Sequence, residues 1–249
     1  MADLDWLTAR PIAHRGLHEA ARGVIENTAS AFDAAVAGRY GIETDVQVSR
    51  DGEAMVHHDD ALGRLTEGSG RLVDLTAAEL RAIPFRSTAD RMMTLGELTA
   101  RVDQRVPLVV EIKSRFDGDE RLVTRVARVL SDYQGRVAAM SFDPHVVAGL
   151  RRLAPHLTRG IVAERHYAGP EEHRLTEQQS DELGVLAHAP QTRPDFVAYR
   201  VDDLPTAVTT KAKLSGQPVL TWTVRTPAQR ERAREYASQM IFEGFRPES

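Results

Sequence analysis

Short apolar runs that read as strands alternate with amphipathic stretches that read as helices along nearly the whole chain, and this alternation leaves few folds open. The strand patterns fall at 11–15, 41–48, 107–113, 136–142, 158–164, 195–201, 218–224 and 239–244. They are rich in Val, Ile and Ala, as strands are when helices cover a parallel sheet. Helical patterns fill the intervals at 27–38, 94–103, 119–132, 144–154, 175–183, 204–215 and 227–236. In the first of these Ala31, Phe32, Ala35 and Val36 recur at helical steps, with Thr28 as a cap and Gly38 as a stop. Eight strands with helices between them predict an α/β fold, the TIM (β/α)8 barrel, and 249 residues suit a single domain spanning 1–249. The rival is an open doubly wound sheet, which usually needs fewer strands, and no glycine-rich dinucleotide fingerprint follows the first strand.

One segment breaks the rhythm. Residues 50–94 hold an extra strand-like piece at 54–58 and the run Glu67-Gly68-Ser69-Gly70, which predicts a small insertion after the second strand. No linker or internal repeat divides the chain. The stretch 167–191 is polar and irregular and is expected to form a helix and a loop near the barrel mouth.

Charge and composition narrow the partners. The formal net charge of -4 offers no basic surface for nucleic acid or an anionic membrane, while a locally cationic cleft still suits a small anionic substrate. With no cysteine there is no disulfide framework, thiolate metal site or cysteine nucleophile. The start, Met1-Ala2-Asp3-Leu4-Asp5-Trp6, has acids where a signal peptide is basic, and no apolar run reaches membrane-spanning length. A cytoplasmic protein with no stable membrane association is expected.

In a barrel the carboxyl ends of the strands share one mouth, so residues distant in sequence become neighbours there. Glu43 and Asp45 lie two apart on the second strand and therefore point to one side; Glu111 and Lys113 repeat the spacing on the third. Either pair alone reads most simply as charges facing water, a reading that two pairs on consecutive central strands make hard to keep. Three inward carboxylates repel one another unless a cation holds them, and hard oxygen donors select Mg²⁺ or Ca²⁺, so one divalent cation is implied. His14 and His58 also fall at strand ends, where an imidazole can take and give a proton. Arg15 and Lys113 supply fixed positive charge to a phosphate. His145, His156, His166, His173 and His188 lack paired-ligand spacing, and 225–234 reads as a solvated helix face.

The ordered set His14-Arg15-Gly16, Glu26-Asn27-Thr28, Glu43-x-Asp45, Arg50-Asp51-Gly52, His58-Asp59, Arg64-x-Thr66, Glu111-x-Lys113 and Trp222-Thr223-Val224 resembles the glycerophosphodiester phosphodiesterase family. The resemblance implies a metal-dependent barrel hydrolase that cleaves glycerophosphodiesters to sn-glycerol 3-phosphate and an alcohol. By position, Glu43, Asp45 and Glu111 resemble the family's metal ligands, His14 and His58 its acid/base pair, Arg15 and Lys113 its phosphate contacts, and Trp222 its aromatic wall against glycerol. The first nucleophile is water or the glycerol 2-hydroxyl, with His14 the favoured initial base. Asp59 orients His58 or serves the metal's outer shell. One segment and two single positions depart from the pattern. Phe242-Glu243-Gly244-Phe245-Arg246-Pro247 replaces a Thr-Asp-x-Pro ending, Ile25 stands where a proline is common, and His57 doubles the imidazole at His58, although neighbours on a strand face opposite ways.

Three alternatives remain. A lysophospholipase D acting on larger lipid diesters would share the core and differ at the mouth. A non-catalytic phosphodiester-binding module would keep the barrel without turnover. A metal amidohydrolase would need a His-x-His after the first strand, where this chain has Gly16.

Overall fold

The apolar runs become nine strands in a computed structural model that describes residues 4–167 and 175–248. They are β1 (Ile12–Ala13), β2 (Gly41–Val48), β3 (Ala54–Val56), β4 (Leu108–Ile112), β5 (Val137–Ser141), β6 (Thr158–Ala163), β7 (Phe196–Arg200), β8 (Val219–Val224) and β9 (Gln239–Phe242). All but β3 run parallel in chain order, and β9 returns to β1, which also pairs with β2, so eight strands close a barrel. This is the TIM barrel expected from the alternation. β3 is the extra strand, antiparallel to the end of β2, with Val46 opposite Val56.

Helices α1 (Asp5–Thr8), α2 (Ala29–Ala37), α3 (Ala77–Ala82), α4 (Leu95–Val102), α5 (Arg121–Asp132), α6 (Pro144–Leu153), α7 (Glu177–Gly184), α8 (Ala189–Thr192), α9 (Ala207–Leu214) and α10 (Pro227–Tyr236) accompany the strands. Five of them open on a threonine capping box, at Thr76, Thr94, Thr176, Thr206 and Thr226, where the threonine side chain accepts from the third residue's backbone N–H and that residue's side chain accepts from the threonine N–H. Thr28 stands at the N-cap position of α2 without capping it, since its hydroxyl donates to Ile25 O at 2.7 Å. The helix expected at 204–215 starts only at Ala207, because Pro205 disfavours helical geometry at Leu204 and Thr206 is extended as the cap. The expected helix and loop at 167–191 become α7 and α8, while residues 168–174 lie outside the described residues.

Alternation along the strands sorts the core into two layers. Ile12, Val109, Ala138, Met140, Val162, Phe196, Ala198, Leu220 and Ile241 fill the interior, joined by Leu7 and Trp6 of α1. Gly160 makes room for this packing, since a Cβ there would fall 2.3 Å from the Phe196 ring. Ile42, Val46, Leu108, Val110, Ile112 and Ala139 face the other way, under the helices. Residues 50–94 carry their own small cluster, Met55, Leu62, Leu72, Leu80, Phe85 and Met92, which also buries Ile25. Arg50-Asp51-Gly52 serves this segment structurally. Asp51 caps Ser49 and the start of α3, Arg50 pairs with Glu79, and Gly52 turns the chain at φ +82. Among the described residues no helix is long and apolar enough to cross a membrane.

Candidate functional site

Above the interior layer the inward positions change from apolar to acidic. Val109 faces the barrel interior, and two residues on Glu111 does so too; its register partner on β2 is Asp45, with Glu43 one inward step below. One carboxylate oxygen from each of Glu43, Asp45 and Glu111 lies within 4.8 Å of the others, and all three side chains are buried. Asp45 is held by Asn27, whose amide donates to Oδ2 at 2.9 Å and whose carbonyl accepts from Thr44 at 2.8 Å.

The charges here do not balance. Arg15 and Lys113 reach in, with Lys113 Nζ 3.1 Å from Asp45 Oδ1 and 2.6 Å from Glu111 Oε1, and Arg15 Nε 3.2 Å from Asp45 Oδ2. Glu111 Oε1 and Arg15 Nε, although ion-paired with Lys113 and Asp45, keep no hydrogen-bond partner among the described residues. Burial, compounded by the charges of Asp45 and Glu111, raises Glu43 well above the ordinary carboxylate range. For Asp45 burial acts upward too, but Lys113, Arg15 and the two histidines outweigh it and lower it. A cluster in which one acid is driven toward protonation while another stays charged, with a buried oxygen undirected, fits a hard cation.

His14 and His58 flank these acids with the same arrangement behind each ring. His14 Nδ1 lies 2.8 Å from Glu243 Oε2, and Arg225 Nη2 reaches that oxygen at 2.9 Å. His58 Nδ1 lies 2.8 Å from Asp59 Oδ1, and Arg64 grips Asp59 through Nε at 2.6 Å. Burial would raise Glu243, but its bonds to His14 and Arg225 bring it down to about 2; Asp59 is likewise lowered against burial by His58 and Arg64. Charged acceptors make each Nδ1 the donor, which leaves Nε2 as the nitrogen of each ring where a proton can be taken or given. His14 Nε2 lies 3.9 Å from Glu43 Oε2. Burial lowers His14 despite the bond to Glu243, so its ring is neutral near pH 7.

Local backbone explains why His14-Arg15-Gly16 can do this. Arg15 and Gly16 both take positive φ, and a Cβ at Gly16 would sit 2.9 Å from Ala31, so the chain turns sharply off β1. That turn presents the Arg15 backbone N–H to Glu43 Oε2 at 3.0 Å and the guanidinium to Glu26 Oε1 at 2.7 Å. Glu26 also binds Arg64, so it links the Arg15 turn to the segment carrying His58. His57 points away from the site: it is 1% exposed, packs near Phe85, and burial pushes it down to about 4.

Sequence reasoning assigned no role to Glu243, Arg225, Asn27, Glu26, Arg64 or His18. Asn27, Glu26 and Arg64 sit inside quoted motifs, whereas Glu243 was noted only as part of a divergent ending and Arg225 as part of a solvated face. That last reading is incomplete for Arg225, whose half-exposed guanidinium also donates to Glu243. Asp59, left between two roles, bonds the His58 ring. Trp222 packs edge-on against Phe142 with centroids 5.4 Å apart and donates its indole N–H to Ala198 O, and the residue stays partly buried.

The glycerophosphoryl diester phosphodiesterase family model matches residues 14–243. A glycerophosphodiester phosphodiesterase of Caldanaerobacter subterraneus subsp. tengcongensis is 33% identical over 161 residues, which cover 61% of this chain and 65% of that protein. One from Bacillus altitudinis is 30% identical over 164 residues, covering 60% and 64%. The match thus spans just under two thirds of these relatives' length. The phosphodiesterase of Oleispira antarctica, solved in complex with the product sn-glycerol-3-phosphate, shares the fold at a TM-score of 0.76 and 21% identity, covering 95% of this chain and 94% of its own.

Proposed function

The chain belongs to the glycerophosphoryl diester phosphodiesterase family, and from that premise we propose that it hydrolyses glycerophosphodiesters to sn-glycerol 3-phosphate and an alcohol, using one divalent cation, Mg²⁺ or Ca²⁺. The observation that carries this reading is the convergence of Glu43, Asp45 and Glu111 between two histidines whose Nε2 atoms are free to exchange protons.

Glu43, Asp45 and Glu111 would hold the cation, which supplies positive charge to the phosphate as charge builds on its non-bridging oxygens. Arg15 and Lys113 add fixed charge to the same oxygens. His14, neutral and fixed by Glu243, takes the proton of the nucleophile at Nε2. His58, fixed by Asp59, gives a proton to the departing alcohol oxygen, so one proton enters the site as another leaves it. Trp222 offers an apolar face to the glycerol carbons. The complex of the Oleispira antarctica protein with sn-glycerol-3-phosphate supports that product here.

The test is incubation with glycerophosphocholine and related diesters, with and without divalent ion, reading released sn-glycerol 3-phosphate. Release that chelator abolishes and Mg²⁺ or Ca²⁺ restores is expected. Full activity in excess chelator would remove the metal, and binding without turnover in its presence would make the protein a sensor.

A further inference from the structure

A second group of donors stands beside the acidic one. His14, His18 and Glu243 each offer a ligand atom, all within 4.8 Å of one another. His18 follows the sharp turn at Gly16, and its Nε2 is buried with no hydrogen-bond partner among the described residues. An imidazole nitrogen withdrawn from water without a partner is costly to keep, and here its ring stands within ligand reach of another imidazole and a carboxylate. The group is not sealed from solvent, since the Glu243 side chain is 24% exposed.

We propose that His14, His18 and Glu243 form a second metal site, selective for a borderline divalent ion such as Zn²⁺, whose occupancy withdraws His14 from proton transfer. Two imidazoles and one carboxylate are a donor set that zinc accepts with a fourth position left to water, whereas Mg²⁺ and Ca²⁺ prefer the all-oxygen set of Glu43, Asp45 and Glu111. The two sites therefore sort ions by softness while sharing one wall. A neutral imidazole has a single lone pair; once it ligates an ion its other nitrogen carries the hydrogen, and no base remains. Closing the ion into place displaces the bond between Glu243 and His14 and competes with Arg225 for the carboxylate. Protein that is fully active with Mg²⁺ is thus inhibited by zinc. This consequence for turnover rests on the acid–base role proposed for His14; the site itself does not.

His18→Ala separates the two, because His18 takes no part in the proposed hydrolysis. In millimolar Mg²⁺, zinc binding to wild type and His18→Ala is measured by competition with a chromophoric chelator, and the zinc concentration that halves diester hydrolysis is measured alongside. Loss of a ligand should weaken zinc binding by at least roughly 10–100-fold, the cost of losing even an outer partner of a metal site, and raise the half-inhibitory concentration by the same factor. The zinc-free rate should stay at the wild-type level. Equal zinc affinity in the two proteins would overturn the site; weaker binding with unchanged inhibition would overturn the withdrawal of His14. Zinc binding is read without substrate, so a protein that binds zinc through His18 yet hydrolyses nothing would sink the proposed function and leave the site standing.

Discussion

Acidification should cost this protein stability through His57, a histidine that takes no part in the proposed chemistry. The residue is 1% exposed, its Nδ1 has no hydrogen-bond partner among the described residues, and burial chiefly, opposed by the Asp59 charge and reinforced by that of Arg64, pushes it from 6.5 to about 4. The folded ring stays neutral where the unfolded ring has already taken a proton, so the unfolded state binds more protons and stability falls as the pH is lowered. The loss begins near the unfolded value of 6.5, deepens to about 4, and is constant below that. At roughly 1.36 kcal/mol per unit, a shift of this size amounts to about 3 kcal/mol between neutral pH and pH ~4. That is a large share of the roughly 5–15 kcal/mol by which domains are stable. His57→Leu fills a similar volume beside Phe85 without a titrating group. Urea unfolding of both proteins at pH ~7.5 and ~4 isolates the effect, because the lowered acids Glu26 and Glu243 titrate in wild type and variant alike. The variant should lose about 3 kcal/mol less than wild type over that span. The same pH-dependent loss in both would refute the assignment of a buried neutral ring.

Replacing His14 or His58 by Ala should each lower turnover by roughly 10²–10⁴-fold in steady-state hydrolysis, and near wild-type rates in both variants would remove them from proton transfer. Glu243→Gln keeps the shape behind His14 and removes the charge; the loss of a charge-assisted bond of about 1.5–3 kcal/mol should lower kcat by roughly 10–100-fold with KM held. A changed KM at constant kcat would make Glu243 a substrate contact instead. Trp222→Ala should raise KM by about 2–10-fold, the size of an aromatic contact, and an unchanged KM would reduce the ring to packing against Phe142.

The parts of this molecule that repeat were legible before any coordinate. Period-two alternation put Glu43 and Asp45 on one side of β2, barrel closure made that side the interior, and the register of Asp45 opposite Glu111 brings the third acid to it. The same rule separated His57 from His58. What stayed hidden is carried by single contacts between distant loops. Glu243 reaches His14 across 229 positions of sequence, and no local pattern marks a glutamate after a strand as the partner of a histidine near the chain start. Arg225 was read incompletely for a related reason, since a basic residue ahead of a charged helix reads the same whether it faces water or a carboxylate. His18 is two residues past a recognised motif, and only the backbone turn at Arg15 and Gly16 brings it back toward Glu243.

The pairs behind the histidines make sense as orientation and not as stability. Arg64 and Arg225 have side chains 46% and 52% exposed, and ion pairs so open to water contribute only about 0–1 kcal/mol to folding. Deleting either arginine should therefore pass almost unseen in an unfolding curve. Their effect lies on the next residue inward: each keeps a carboxylate ionised and aimed, and that carboxylate in turn fixes which nitrogen of a histidine carries hydrogen. The two sets come from opposite parts of the chain, Glu243 and Arg225 from the ends of β9 and β8, Asp59 and Arg64 from the segment between β3 and α3. Neither histidine depends on the other's support. A site in which one ring must hold a lone pair while the other holds a transferable proton needs that independence, because a shared partner would tie the two protonation states together.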